Sequence, residues 1–118
     1  MRRGSRAPAA LAADVVCVLV FCAIGRRSHA EGVTLAGVAQ TAWPFLTGTA
    51  LGWLLVRAWQ RPIALLPTGV VVWVATVVVG MLARKASGQG TAVSFIVVAT
   101  LTTAALLLGW RAIARSVL

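Results

Sequence analysis

The segment IALLPTGVVVWVATVVVGMLA, residues 63–83, contains no charged side chain in 21 positions. A helix crosses the hydrocarbon core of a bilayer with roughly 20 apolar residues. The valine-rich part of the segment would favour a β-strand in water. In lipid, however, an isolated strand leaves its backbone N–H and C=O groups unbonded, whereas a helix bonds them internally. The segment therefore predicts a membrane-spanning helix.

Three further apolar segments of similar length cover residues 7–24, 35–56 and 92–110, and the only charge inside any of the four is Asp14. The chain of 118 residues is 60% hydrophobic and 11% charged, whereas ordinary soluble domains carry about 25% charged residues. Too little polar sequence remains for a separate soluble domain. The predicted fold is an all-α polytopic membrane protein, a compact four-transmembrane-helix bundle forming one membrane domain over residues 1–118.

The basic residues lie at the ends of these segments. Lys and Arg number 11 against 2 acidic residues, which gives a net charge of +9. This placement is typical of charges that meet phospholipid head groups, and it argues against nucleic acid as a partner. With the N-terminus inside, seven basic residues lie inside and four outside. The positive-inside rule then predicts a multi-pass protein of the inner (plasma) membrane with cytoplasmic N- and C-termini, and the small margin leaves dual insertion open.

Residues 1–25 resemble a signal peptide, with a basic start followed by an apolar core. Asp14 interrupts that core, and residues 21–26 offer no pair of small residues at the usual cleavage position. We expect the segment to be retained as the first helix.

Asp14 is the first candidate functional residue. An ionised carboxylate at this depth costs a few kcal/mol unless it is paired or hydrated, so Asp14 should face the bundle interior. One interpretation is a structural ion pair with an arginine of the same side, either Arg57 or Arg111. The other is a proton or cation site.

Small residues at helical spacing predict close helix packing. Gly48 and Gly52 form a GxxxG pattern in the second segment, and Gly69, Trp73 and Gly80 share one face of the third. Such patterns let helix backbones approach closely in lipid, within one chain or between two copies.

Pro44 lies near the middle of the second segment. Its missing N–H removes a hydrogen bond to the Gln40 carbonyl, which predicts a kink. A broken helix at this depth could also line a transport site.

Few other residues indicate chemistry. His29 and Glu31 are too few for a metal site, and Glu31 is expected to reach Arg27 or Arg84. Cys17 and Cys22 point apart on one helix and cannot form a disulfide with each other. The remaining notable side chains are tryptophans, several at segment ends, where interfacial anchoring is expected: Trp43, Trp53, Trp59 and Trp110. No catalytic, cofactor-binding or metal-binding residues are predicted, so we expect no cofactor and no enzymatic activity.

Several short motifs support a family resemblance: Asp14, Gly25-Arg26-Arg27-Ser28-His29, Trp43-Pro44-Phe45, Gly80-Met81-x-x-Arg84 and Gly109-Trp110-Arg111. With these motifs the chain resembles an uncharacterised family of small four-helix membrane proteins of actinobacteria, a domain of unknown function. The resemblance implies four spans in the inner membrane and no assigned activity. Length and span number are also similar to the small multidrug resistance transporters, whose first helix carries an essential glutamate where this chain has Asp14. The aromatic and glycine pattern of that family's later helices is absent.

Two functions follow as alternatives. The first is a non-enzymatic small subunit or accessory factor of the membrane. The second is a small proton-coupled transporter that works as an oligomer with Asp14 as the coupling residue. The expected partners are the lipid bilayer and either further copies of the chain or a larger membrane complex. Asp14 paired to arginine in a dry contact favours the first function, and Asp14 in a water-filled cavity favours the second.

Overall fold

The computed structural model describes residues 3–28 and 32–118, with side chains for 6–27 and 32–118. It contains four α-helices: α1 (Arg3–Ser28), α2 (Leu35–Val56), α3 (Val70–Ala86) and α4 (Val93–Val117). A short 3-10 turn, Ala58–Gln60, and a π-helical turn, Leu65–Gly69, connect α2 to α3. The described residues include no β-strand, so the prediction of an all-α bundle is confirmed. The end where α1 starts and α4 finishes is here named the terminal end, and the opposite end the far end.

Within the described part of the chain, three stretches of helix are long and apolar enough to cross a membrane: Arg6–Arg27, Leu65–Ala86 and Val93–Val117. The fourth helix, α2, is also 22 residues long but is not among these three stretches. Its threonine hydroxyls at 41, 47 and 49 each donate to the carbonyl four residues earlier. These bonds leave no hydroxyl proton of α2 unsatisfied, which is what an apolar environment requires.

The predicted GxxxG pair packs α2 against α3. A Cβ atom on Gly48 would lie 2.5 Å from the carbonyl oxygen of Ala75, and one on Gly52 would lie 3.0 Å from Cα of Val72. The two backbones therefore approach so closely that only glycine fits between them. A hydrogen bond of 2.8 Å between the hydroxyls of Thr49 and Thr76 joins the same two helices.

The other predicted packing residues contact two different helices. A Cβ on Gly80 would meet the Phe45 ring of α2 at 2.5 Å, whereas one on Gly69 would lie 2.9 Å from Leu108 of α4. The indole Nε1 of Trp73 donates to the Thr100 carbonyl of α4 over 3.0 Å. The residues that the sequence places on one face of this segment therefore pack against both α2 and α4.

The regular helix α3 begins at Val70, whereas the sequence predicts a start near residue 63. Proline lacks an N–H and disfavours the α conformation in the residue before it. Leu66, which precedes Pro67, is accordingly extended, with φ −119° and ψ 133°. The delay leaves residues 57–64 as a connection at the terminal end, and this connection contributes to the site described below.

Pro44 is buried within α2, which continues on both sides of it from Leu35 to Val56. No interruption of α2 accompanies this proline, and the predicted kink stays a prediction.

The core has two parts along the bundle. Phe21 of α1 and Phe45 of α2 meet edge to face, with ring centroids 5.3 Å apart, in a cluster that includes Ala99 of α4. A second cluster, nearer the terminal end, contains Ala10, Trp53, Ala58 and Val72. The candidate site lies beside this second cluster, because Trp53 belongs to both.

Candidate functional site

Asp14 of α1 and Arg111 of α4 form a fully buried ion pair. Each side chain has no exposed surface. Nη1 of Arg111 donates to Oδ1 over 2.8 Å, and Nη2 donates to Oδ2 over 2.7 Å. This paired geometry matches the planar guanidinium to the planar carboxylate, and it is the strongest form of such a contact.

Two tryptophans complete the shell of the carboxylate. The indole Nε1 of Trp53 donates to Oδ2 of Asp14 over 2.7 Å, and that of Trp110 donates to Oδ1 over 2.9 Å. Asp14 thus accepts four N–H hydrogen bonds. An ionised carboxylate only accepts, whereas a protonated one must also donate. The four N–H donors therefore match a carboxylate whose two oxygens both accept.

Arg111 extends the network to the backbone. Its Nε donates to the Pro62 carbonyl over 3.0 Å, and its Nη1 also donates to the Leu107 carbonyl over 3.1 Å. The guanidinium carbon also lies 4.6 Å from the ring centre of Trp110. Asp14, Arg111, Trp53, Trp110 and the Pro62 carbonyl are here named the Asp14 cluster. The cluster joins α1, α2, α4 and the connection between α2 and α3.

Helical periodicity explains why these side chains meet. Buried positions on α1 include Ala10, Asp14 and Val18, each four residues apart. The buried positions of α4 follow the same spacing and lead to Arg111: Ala99, Thr103, Leu107 and Arg111. Residues four apart lie on one face of a helix, so Asp14 and Arg111 each occupy the inward stripe of their helix.

Of the two arginines that the sequence predicts as possible partners of Asp14, the structure shows Arg111 as the partner. Arg57 is not part of the cluster. It ends α2 in the left-handed conformation, with φ 50°, and its side chain is exposed. The choice between Arg57 and Arg111 depends on where α2 ends. Arg57 lies one residue past the last residue of α2, and it therefore no longer lies on the inward face of that helix.

The two tryptophans of the cluster were interpreted from sequence as interfacial anchors. Trp53 is instead only 7% exposed, and Trp110 is half-buried against Asp14. One signal was present: Trp53 follows Thr49 by four residues, on the glycine-lined face of α2. Trp110 carried no comparable signal, because its neighbour Arg111 occupies the inward stripe.

Asp14 lines neither of two cavities in the bundle. One of about 580 Å³ opens at the far end and is lined by Phe21, Gln40, Arg84 and Phe95, among others. The other, of about 380 Å³, lies at the terminal end. Because neither side chain of the ion pair has exposed surface, the contact between Asp14 and Arg111 is dry.

At the far end, two arginine side chains donate hydrogen bonds to carbonyls of the connecting loops. Arg26 donates to the Gly32 carbonyl over 2.7 Å, and Arg84 donates to the Gly90 carbonyl over 2.9 Å. The guanidinium of Arg84 also lies 4.4 Å from the centre of the Phe95 ring. The predicted contact of Glu31 with Arg27 or Arg84, and the expectation for His29, lie outside the described residues.

The fold and the Asp14 cluster define a small all-α bundle, with helices suited to a membrane and a buried aspartate–arginine pair at its terminal end. The chain belongs to the family described as "Protein of unknown function (DUF3054)", whose model matches residues 11–114. That match includes both partners of the ion pair and confirms the predicted resemblance to an uncharacterised family. Searches of curated proteins and of solved structures gave no match.

Proposed function

We propose that this protein is a non-enzymatic integral protein of the inner membrane that serves as a small subunit or accessory factor. The observation that carries the proposal is the closed Asp14 cluster. Asp14 is the only acidic side chain among the described residues, and four N–H donors occupy it in a dry contact. A carboxylate with these four hydrogen bonds stabilises the contact between helices. Neither of its oxygens is left free to bind a transported cation.

The outer surface of the bundle supports a membrane location. Large apolar side chains are exposed along all four helices. Examples are Val16 on α1, Leu55 on α2, Leu82 on α3 and Leu101 on α4, which are 56%, 76%, 64% and 65% exposed. Exposed apolar surface on this scale marks a face that lipid or another membrane protein covers.

The alternative function is a proton-coupled transporter. The far-end cavity of about 580 Å³ favours it, because the polar groups of Gln40 and Arg84 line that cavity together with aromatic rings. Asp14 does not line this cavity, so a transporter of this design would need the Asp14 cluster to open during each cycle.

Membrane integration is tested by extracting isolated membranes with alkaline carbonate. We expect the protein to stay in the pellet and to leave it only with detergent. Release into the supernatant would contradict the membrane location.

The accessory role is tested on protein solubilised from native membranes in mild detergent. We expect the chain to migrate with a second membrane protein at a fixed ratio, and purified chain alone to transport no protons in proteoliposomes. Proton-driven uptake by the purified chain, lost in Asp14→Asn while the fold persists, would replace this proposal with the transporter.

A further inference from the structure

The terminal-end cavity, of about 380 Å³, is lined by three arginines from three separate parts of the chain. Arg6 comes from α1, Arg61 from the connection after α2, and Arg115 from α4. None of the described residues that line the cavity is acidic. The volume lies within the range of pockets that hold small ligands.

These three positive charges are uncompensated within the described part of the chain. None of the three side chains donates a hydrogen bond to a described residue, and Asp14, the one described acidic side chain, is occupied by Arg111. Three like charges around one cavity repel each other unless an anion lies between them.

Arg6 supplies a second, independent observation. Its Nε is buried from solvent and has no hydrogen-bond partner among the described residues. A buried N–H without a partner is unfavourable and rare in folded proteins. Its presence at the wall of a cationic cavity indicates that an acceptor from outside the chain completes the site.

The remaining lining is apolar and distinguishes a lipid from a free anion. The other lining residues are Pro62, Ile63, Ala64 and Leu66. Leu66 is 74% exposed. A site lined by both guanidinium and aliphatic groups matches a phosphate joined to an apolar chain.

The Asp14 cluster and this cavity share Pro62, although Asp14 itself does not line the cavity. Pro62 belongs to the cavity wall, and its carbonyl accepts the hydrogen bond from Nε of Arg111. Arg61 is the residue before Pro62, so the cluster holds the connection that carries one of the three arginines.

We propose that the cavity formed by Arg6, Arg61 and Arg115 binds the phosphate of an anionic phospholipid head group. The guanidinium groups donate hydrogen bonds to the phosphate oxygens, and the aliphatic lining residues contact the start of the acyl region. The inference rests on the proposed membrane location and is independent of the accessory role. Release by carbonate contradicts the location, whereas a membrane protein without head-group preference contradicts this site alone.

The test measures lipid binding to detergent-purified protein by native mass spectrometry and by thermal shift. The probes are phosphatidylglycerol, phosphatidylcholine and inorganic phosphate. We expect phosphatidylglycerol to bind and to raise the unfolding midpoint. Phosphatidylcholine has the same phosphate but also a quaternary ammonium that the three arginines repel, so it should bind at least about tenfold more weakly. Equal binding of the two lipids would overturn the proposal, and inorganic phosphate that binds as tightly as the lipid would reassign the site to a soluble anion.

Variants separate this site from general surface charge. Arg6→Gln should weaken phosphatidylglycerol binding about tenfold, and Arg6→Lys should weaken it less, because it keeps the charge but loses the fork. The control Arg57→Gln removes an exposed arginine near the same end and should change binding less than about twofold.

Without lipid, Arg6→Gln should be at least as stable as the parent, since it removes a buried unsatisfied N–H. If it does not fold, Arg115→Gln replaces it. An equal loss in the Arg57→Gln control would contradict the site.

Discussion

At the scale of single residues, the central feature is the buried carboxylate of Asp14, which accepts hydrogen bonds from three side chains of the Asp14 cluster. Removing one partner of a buried ion pair leaves the other charge unpaired in a dry environment, which commonly costs about 3–5 kcal/mol. Replacing both partners by apolar side chains of similar volume is often neutral or stabilising. The cluster is therefore expected to respond very differently to single and double substitutions.

Asp14→Asn should lower the free energy of unfolding by about 3 kcal/mol, because the amide loses the charge and presents an N–H group to an N–H donor. A thiol-reactive dye can follow unfolding, since Cys22 is buried and Cys17 is half-buried in the same helix. Lys85→Gln, which changes an exposed residue at the far end, is the control and should leave the midpoint unchanged. A variant that is more stable than the parent but inactive would favour the coupling role for Asp14.

The double substitution Asp14→Leu with Arg111→Met should recover most of the stability lost in Arg111→Met alone, since no buried charge remains unpaired. The same dye assay on the four members of the cycle measures the coupling between the two residues. Additive losses in the double variant would mean that the two charges do not stabilise each other.

The sequence predicts that Asp14 has a partner among a few arginines, because a charge inside an apolar segment requires one. It does not decide between Arg57 and Arg111, since that choice depends on the last residue of α2 and on which face each helix turns inward. The tryptophans were assigned to the membrane interface, because composition and position near a helix end do not reveal that an indole N–H is bonded to a carboxylate.

At the scale of elements, α2 and α3 form the most closely packed helix pair, and Gly48 and Gly52 permit this approach. The GxxxG spacing predicted that small residues would contact another helix, and the structure shows α3 as that helix. The start of α3 was less predictable, since the apolar run continues through residues 63–69 and only Pro67 marks the change.

Gly48→Ala should destabilise the bundle by about 1–3 kcal/mol, because its Cβ would lie 2.5 Å from the Ala75 carbonyl and the backbones would have to separate. The matched control is Gly109→Ala, in the interior of α4, where an added Cβ meets nothing within 4 Å. The control should be neutral or slightly stabilising, as expected for Gly→Ala in a helix. Equal midpoints for the two variants would mean that the α2–α3 contact is not close-packed in the membrane.

At the scale of the whole molecule, the bundle is 42 Å along its longest axis, which exceeds a hydrocarbon core of about 30 Å. In a membrane, both ends of the bundle would reach the head-group regions, where basic residues meet water and lipid phosphates. By sequence, seven basic residues are predicted on the side of the two termini against four on the other, and the positive-inside rule predicts that this difference determines the orientation.

Reporter fusions at the C-terminus should accordingly give a cytoplasmic signal. Three substitutions test the physical reason: Arg57→Gln removes one charge at the terminal end, while Val33→Lys and Ala92→Lys add two at exposed far-end positions. The count becomes six against six, since 7 − 1 = 6 and 4 + 2 = 6. We expect the triple variant to insert in both orientations, because the charge bias that selects one of them has vanished. Val33→Gln with Ala92→Gln, which adds polarity without charge, should stay cytoplasmic. A triple variant that keeps a purely cytoplasmic C-terminus would show that packing between the helices, rather than charge, fixes the orientation.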